Sequence, residues 1–280
     1  MCPILFLIVR FGFSTFFFPQ KPLVSLIDDL VAYGLTAIEL VYDVPHFDQF
    51  DDNLIAHLKR LTDRDVRFSL HCPFLEVNLS GYFEEVRSFS RQLTEKAVHF
   101  AARAGCNPVV IHPGYTFLMD KIHGIEQVAR SNMVDALTPL AAFAARHGIT
   151  LGLENLQTPY FLVHDLKDFL FFKRAIPELG LVLDLGHAYI VKRRLGSPDP
   201  EGAVLKDIEE IGVRNVIHVH LSNNAGVTDE HGFINGDIDI KRVVHWLGER
   251  GYQGRLIIES TEMESLGIPA VLERIRQIEA

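Results

Sequence analysis

The feature that most restricts the fold is a strict alternation of short β-rich runs with longer helical patterns along the whole chain. Runs rich in β-branched, aromatic and aliphatic residues fall at 10–14, 37–41, 66–71, 109–112, 150–154, 181–184, 216–220 and 255–259. Between them, apolar residues recur at helical spacing over 23–33, 53–61, 84–104, 127–146, 166–175, 201–211, 241–250 and 269–278. Gly34, Gly105, Gly148 and Gly251 close four of these patterns and read as left-handed helix C-caps. A helix after every strand makes successive strands parallel, and eight such units without a linker favour a closed (β/α)8 TIM barrel, an α/β fold, over an open doubly wound sheet. An open sheet would show a phosphate-binding glycine fingerprint after its first strand, and FGFSTFFFPQ is not one. One barrel domain is expected over 10–280, with 1–9 a lead-in of uncertain role.

Composition narrows the class further. Hydrophobic residues are 48% and charged residues 22% of 280, enough apolar content for a large core. The formal net charge of -9 gives no bulk attraction to nucleic acid or to an anionic membrane. Cys2, Cys72 and Cys106 are few, odd in number and without CxxC spacing, which points to reduced thiols in the cytoplasm acting as small core hydrophobes. The apolar start, MCPILFLIV, lacks a basic region and a cleavage pattern and is too short for a membrane helix.

A barrel places its chemistry at the C-terminal ends of its strands. There the sequence puts His71 (SLHCPF), His112 (VVIHPG), Glu154 (LGLEN), Asp184 with His187 one turn on (VLDLGHA), His220 (HVHLS) and Glu259 (LIIES). The loop after the seventh strand adds Asp229 and His231, while the first two strands contribute no such group. One such residue is ordinarily a loop residue with satisfied hydrogen bonds. Nine converging on one mouth would repel and desolvate one another unless cations neutralised the carboxylates and accepted the imidazole lone pairs. Nitrogen and oxygen donors without cysteine suit zinc, manganese or a related divalent ion, and nine suffice for one to three ions. His218, two residues before His220, reads as a packed histidine one layer deeper. His46, His57, His99, His123, His147, His164 and His245 fall away from the strand ends.

Taken in order, SLHCPF, VVIHPG, LEN, VLDLGHA, HVHLS, DEH with GFINGDIDI, and LIIES resemble the xylose isomerase-like TIM-barrel superfamily, which includes sugar-phosphate isomerases and epimerases and endonuclease IV (AP endonuclease family 2). The resemblance runs from about Arg10 to the C-terminus. It implies for the endonuclease branch three zinc ions held by His71, His112, Glu154, Asp184, His187, His220, Asp229, His231 and Glu259. For the isomerase branch it implies one divalent ion held by Glu154, Asp184, His220 and Glu259, with Glu154 and Glu259 as the acid/base pair beside a carbonyl.

Two departures separate the branches. The loop after the second strand, VYDVPHFDQFDD, carries Asp43, Asp48, Asp51 and Asp52 and no Lys or Arg, which would repel a duplex. The arginine that many epimerases carry after the seventh-strand histidine is missing from LSNNAGVTDEH. Lys192, Arg193 and Arg194 read as a solvated helix end or, failing that, an anion contact. The expectation is a metal-dependent isomerase or epimerase acting on a small carbohydrate or sugar phosphate, with a metal-dependent phosphodiesterase as alternative. Glu154 and Glu259 together weigh against a non-catalytic barrel. Substrate identity and oligomeric state are left open by the sequence.

Overall fold

The computed structural model describes residues 10–117, 119 and 121–280. Eight parallel strands close into one barrel in chain order: β1 (Arg10–Ser14), β2 (Ala37–Val41), β3 (Arg67–His71), β4 (Val109–Ile111), β5 (Leu151–Glu154), β6 (Gly180–Asp184), β7 (Val216–Leu221) and β8 (Arg255–Ile258). The circle shuts where Arg10–Phe13 of β1 pair with Arg255–Ile258 of β8. Each expected strand lies within one residue of its expected bounds. The outer ring is α1 (Leu23–Ala32), α2 (Asp52–Thr62), α3 (Glu84–Ala104), α4 (Ile125–Arg146), α5 (Phe169–Ala175), α6 (Leu185–Arg194), α7 (Pro200–Ile211), α8 (Ile240–Glu249), α9 (Glu262–Ser265) and α10 (Ile268–Glu279).

Helical periodicity translates directly into packing. In α1 the buried residues are Leu23, Leu26, Ile27 and Leu30, one apolar stripe laid on the strands. Each such side chain stabilises the fold by roughly 1.5–3 kcal/mol on burial. The four predicted C-cap glycines, Gly34, Gly105, Gly148 and Gly251, all have φ between +69° and +89°. Cys72 and Cys106 are free and buried in the core; Cys2 and the 1–9 lead-in lie outside the described residues. Among the described residues no helix is long and apolar enough to cross a membrane.

Two helices lie outside the expected helical runs. In α6 the strand runs straight into the helix, because the Asp184 carboxylate caps it by accepting from the His187 amide at 2.7 Å. Gly186 is required there, since a Cβ would stand 2.1 Å from Ser222 Oγ. The short α9 follows β8 and contributes Glu262, a clasp for the site loop described below. In β7 the register against β6 slips between Leu181 and Val182, so that Ile217 is the extra residue of a bulge. Gly180 makes room for it, because a Cβ there would lie 2.5 Å from Ile217 Cγ1.

Candidate metal centre

Strand register assembles the polar strand ends. Val41 pairs with His71, His71 with Val110, and Asp184 with His220, so these positions share one level at the barrel mouth. Eight of the nine residues singled out in the sequence fall into three groups at this mouth, two of which share Glu154, and a fourth group, Glu39 with His218 and His220, lies beneath them. His71, His112 and Glu154 form one; Glu154, Asp184 and His220 another; His187, Asp229 and His231 the third. Within each group the donor atoms lie within 4.8 Å of one another. Glu154 is shared: its Oε2 is 3.2 Å from His71 Nε2 and 3.4 Å from His112 Nε2, and its Oε1 is 3.2 Å from His220 Nδ1. Glu259 joins the second group, with its carboxylate 3.7 Å from His220 Nδ1. Asp229 Oδ2 lies 3.0 Å from His187 Nε2 and 3.1 Å from His231 Nε2.

The histidines are oriented by what lies behind them. His71 Nδ1 donates to the Cys72 carbonyl at 2.7 Å, His187 Nδ1 to the Asn155 carbonyl at 2.9 Å, and His231 Nδ1 to the Glu259 carbonyl at 3.3 Å. A carbonyl oxygen only accepts, so each Nδ1 carries its proton and each Nε2 faces the carboxylates. One nitrogen anchored to the backbone and the other aimed inward is the arrangement of metal-ligating histidines. Asn155 also continues the sheet, accepting from the Asp184 amide and donating to the Asp184 carbonyl, each at 2.9 Å.

Titration within the cluster follows from burial and crowding. Burial raises Glu259 to about 7, and the Glu154 charge adds to it against His220 and His231. Burial likewise raises Asp184, with Glu154 and Asp229 adding and His187 opposing. Glu154 is held well below the usual carboxylate range: burial disfavours its charge, but His220, His112 and His71 outweigh that. His187 is raised to about 10 and His231 to about 9, because their carboxylate neighbours overcome burial. His112, where burial wins, is lowered. Protons on imidazoles thus balance the carboxylates, at the nitrogens a cation would take.

The donor set fits a divalent cation on a further observation. Asp184 Oδ2 is fully buried without a hydrogen-bond partner, beside Glu154 and His220, as is Asp229 Oδ1 in its group. An orphaned buried carboxylate oxygen is costly without a partner. The loop bearing Asp229 and His231 is built to hold still. Asn223 and Gly232 exchange backbone hydrogen bonds at 2.6 and 2.8 Å, and Glu262 accepts from the Phe233 and Ile234 amides at 2.7 and 2.6 Å.

Above the cluster lies a cavity of ≈160 Å³ walled by Phe16, Phe17, Phe74 and Leu156. Phe74 packs 4.9 Å from the His112 ring and Phe17 5.1 Å from the His231 ring. Gln157 also lines it; its Nε2 donates to Asp229 at 3.1 Å and its Oε1 is buried without a partner. The sequence reading passed over Gln157. Larger clefts, of ≈500 Å³ between α7 and α8 and ≈350 Å³ beside α1 and α10, are lined from the outer helices and loops rather than from these strand ends.

Three expectations need correction. The second strand does contribute: Glu39, wholly buried, touches both His218 and His220 at 2.9 Å. It was overlooked because it sits inside its strand, in AIELV, rather than at its end. Lys192 is not at a solvated helix end; it is buried and bound to Asp165 at 2.6 Å and to Asp207. Arg194 donates to the Gln157 and Val227 carbonyls at 2.7 and 3.0 Å, a tie between loops. The acidic loop after β2 is largely committed to structure: Asp43 accepts from the Phe74 and Leu75 amides, Asp51 caps α2, and Asp52 pairs with Arg103. His218 packs one layer deeper, as expected. The remaining histidines lie outside the cavity; His46, for example, bonds the Lys21 carbonyl at 2.8 Å.

Fold and site define a class, and the chain belongs to the xylose isomerase-like TIM barrel family, matched over residues 27–278. MJ1311 of Methanocaldococcus jannaschii is 29% identical over 262 residues, 90% of this chain and 84% of the relative. A D-tagatose 3-epimerase-like protein of known structure is 26% identical, with a TM-score of 0.80 over 97% of this chain and 96% of that one. An AP endonuclease of family 2 from Brucella melitensis shares the fold at 21% identity, with a TM-score of 0.72 over 90% and 93% of the two chains.

Proposed function

We propose that the chain is a divalent-cation-dependent isomerase or epimerase of a small neutral carbohydrate. The observation that carries this reading is the approach of both Glu154 and Glu259 to His220 Nδ1, at 3.2 and 3.7 Å, where both line a cavity of ≈160 Å³. Glu154, Asp184, His220 and Glu259 would hold a zinc or manganese ion. When bound, the ion polarises the carbonyl and hydroxyl oxygens of the substrate, which acidifies the C–H beside the carbonyl. One glutamate removes that proton, and the other returns a proton to the opposite face or to the neighbouring carbon. Phe16, Phe17, Phe74 and Leu156 exclude water and pack on the C–H faces of the sugar. Gln157 Oε1 accepts from a substrate hydroxyl. Among the described residues the lining holds no Lys or Arg, which favours an uncharged sugar over a sugar phosphate. Similarity to a D-tagatose 3-epimerase-like protein supports the same chemistry.

The test is solvent deuterium uptake into a panel of ketoses with zinc or manganese present. Uptake at the carbon next to the carbonyl is expected from the parent and not from Glu154→Gln or Glu259→Gln. Parent-like exchange in both variants would disprove the acid/base assignment.

A second reading rests on a separate observation, the three ligand groups, which exceed what one ion needs. Such a set favours phosphoester hydrolysis. Elemental analysis separates the readings: one ion per chain supports the isomerase and three the hydrolase. Nicking of an abasic-site duplex would establish the hydrolase, and intact duplex with zinc or manganese present would remove it.

A further inference from the structure

Beneath the mouth, the barrel interior holds a second polar layer that the proposed chemistry does not use. Glu39 of β2 and His218 of β7 are wholly buried in it. Ser14 and Ser69, also wholly buried, flank Glu39 in register on the two neighbouring strands, and neither hydroxyl has a hydrogen-bond partner. A carboxylate placed there has no access to water, so its charge must be met by protein groups. Two histidines meet it, one on each oxygen. His218 Nε2 donates to Oε2 at 2.9 Å, and His220 Nε2 stands 2.9 Å from Oε1. Glu39 Oε1 and His220 Nε2 meet as an ion-pair contact, and neither atom has a hydrogen-bond partner.

His220 differs in this from its neighbours at the mouth. His71, His187 and His231 each tie Nδ1 to a backbone carbonyl and turn Nε2 inward. His220 turns Nδ1 toward Glu154 and Glu259 instead, and no backbone carbonyl secures its other nitrogen. Carboxylates stand at both of its nitrogens and can only accept, so once a cation takes Nδ1 the single proton of a neutral His220 is left on Nε2, facing Glu39.

We propose that Glu39 is the positioning residue of the centre: from the floor of the barrel it fixes the tautomer and ring orientation of His220, and His218 in turn holds Glu39. The inference rests on the divalent-cation reading of the mouth. Glutamine at position 39 would offer one acceptor and one NH2 to two rings that each present Nε2–H. At least one ring then loses its partner and is free to move its proton to Nδ1.

The experiment is a zinc titration against a competing chelator for the parent and for Glu39→Gln, with 15N spectra of the histidine rings in the zinc-loaded proteins. The parent should show a protonated Nε2 and an unprotonated Nδ1 at His220, and Glu39→Gln should bind zinc about 10- to 100-fold more weakly. Unchanged affinity in Glu39→Gln, or a protonated Nδ1 at His220 in the zinc-loaded parent, overturns the proposal. The second of these outcomes needs no variant, so it decides even where Glu39→Gln does not fold. Absence of zinc uptake by the parent would instead sink the cation reading itself.

Discussion

Among the described residues Glu154 is the one carboxylate shared by two ligand groups, and replacing it by glutamine makes the sharpest test of the centre. Its Oε2 faces His71 and His112 at 3.2 and 3.4 Å, and its Oε1 faces His220 at 3.2 Å. A unit charge at that distance is worth about 5 kcal/mol at an effective dielectric near 20, and removing one member of a buried charge pair costs roughly 3–5 kcal/mol. At 1.4 kcal/mol per decade, Glu154→Gln should weaken divalent-ion binding by about two to four powers of ten. Because both oxygens are engaged, the loss should fall on two groups at once. Asp229→Asn, by contrast, touches only the His187 and His231 group and should leave the others intact. Chelator-competition titrations with elemental analysis after dialysis would measure both affinity and stoichiometry. A Glu154→Gln protein that kept the parent's ion content and affinity would refute the shared-carboxylate reasoning outright.

Ion binding should release protons, because the nitrogens of His187 (about 10) and His231 (about 9) carry them at neutral pH; affinity should climb as pH rises toward 10 and fall on acidification, as calorimetry in buffers of different ionisation enthalpy would record. In the cation-free protein the sign reverses. Raised histidines contribute stability that is complete below their ordinary value of 6.5 and lost as pH rises through 9 and 10, so the melting temperature in chelator should decline over that range; a rise would contradict the assignment. Gly186→Ala should destabilise by roughly 1–3 kcal/mol through its clash with Ser222 Oγ, and Ser222→Ala should restore part of that loss in a denaturant melt of the double variant. Asp207→Asn leaves Lys192 half-paired inside the α6–α7 interface and should lower the melting temperature by several degrees, on the order of 2–3 kcal/mol, without altering ion content.

Barrel architecture and the mouth residues were legible because both follow from local signals. Period and punctuation mark each βα unit, and a ligand at a strand end stands out against the apolar run before it. What escaped reading depends on relations between strands. Glu39 lies within AIELV, and only barrel closure shows that β2 and β7 face each other across the interior so that it meets His218 and His220. Of helix α6 only the end at Lys192–Arg194 was legible, because Asp184, read as a site residue, is also the N-cap that starts it. Gln157 was passed over since a polar residue in a loop is unremarkable until its Oε1 is found buried and unpartnered.

The acidic loop after β2 shows how carboxylates counted in a sequence acquire structural partners. Four carboxylates near the mouth looked like a barrier to a duplex, but Asp43, Asp51 and Asp52 are spent on backbone amides and Arg103. Backbone amides hold Asp43 and Asp51 in place without removing their charge, and at 0.1 M salt that charge is screened beyond about 10 Å. Preference for a small neutral substrate therefore has to rest on the cavity itself. Its wall of Phe16, Phe17, Phe74 and Leu156 holds the ≈160 Å³ space above the carboxylates and offers phosphate no guanidinium or ammonium among the described lining residues. Clustered cations could supply that positive charge instead, which is why ion stoichiometry discriminates between sugar chemistry and phosphoester hydrolysis more sharply than any count of surface acids.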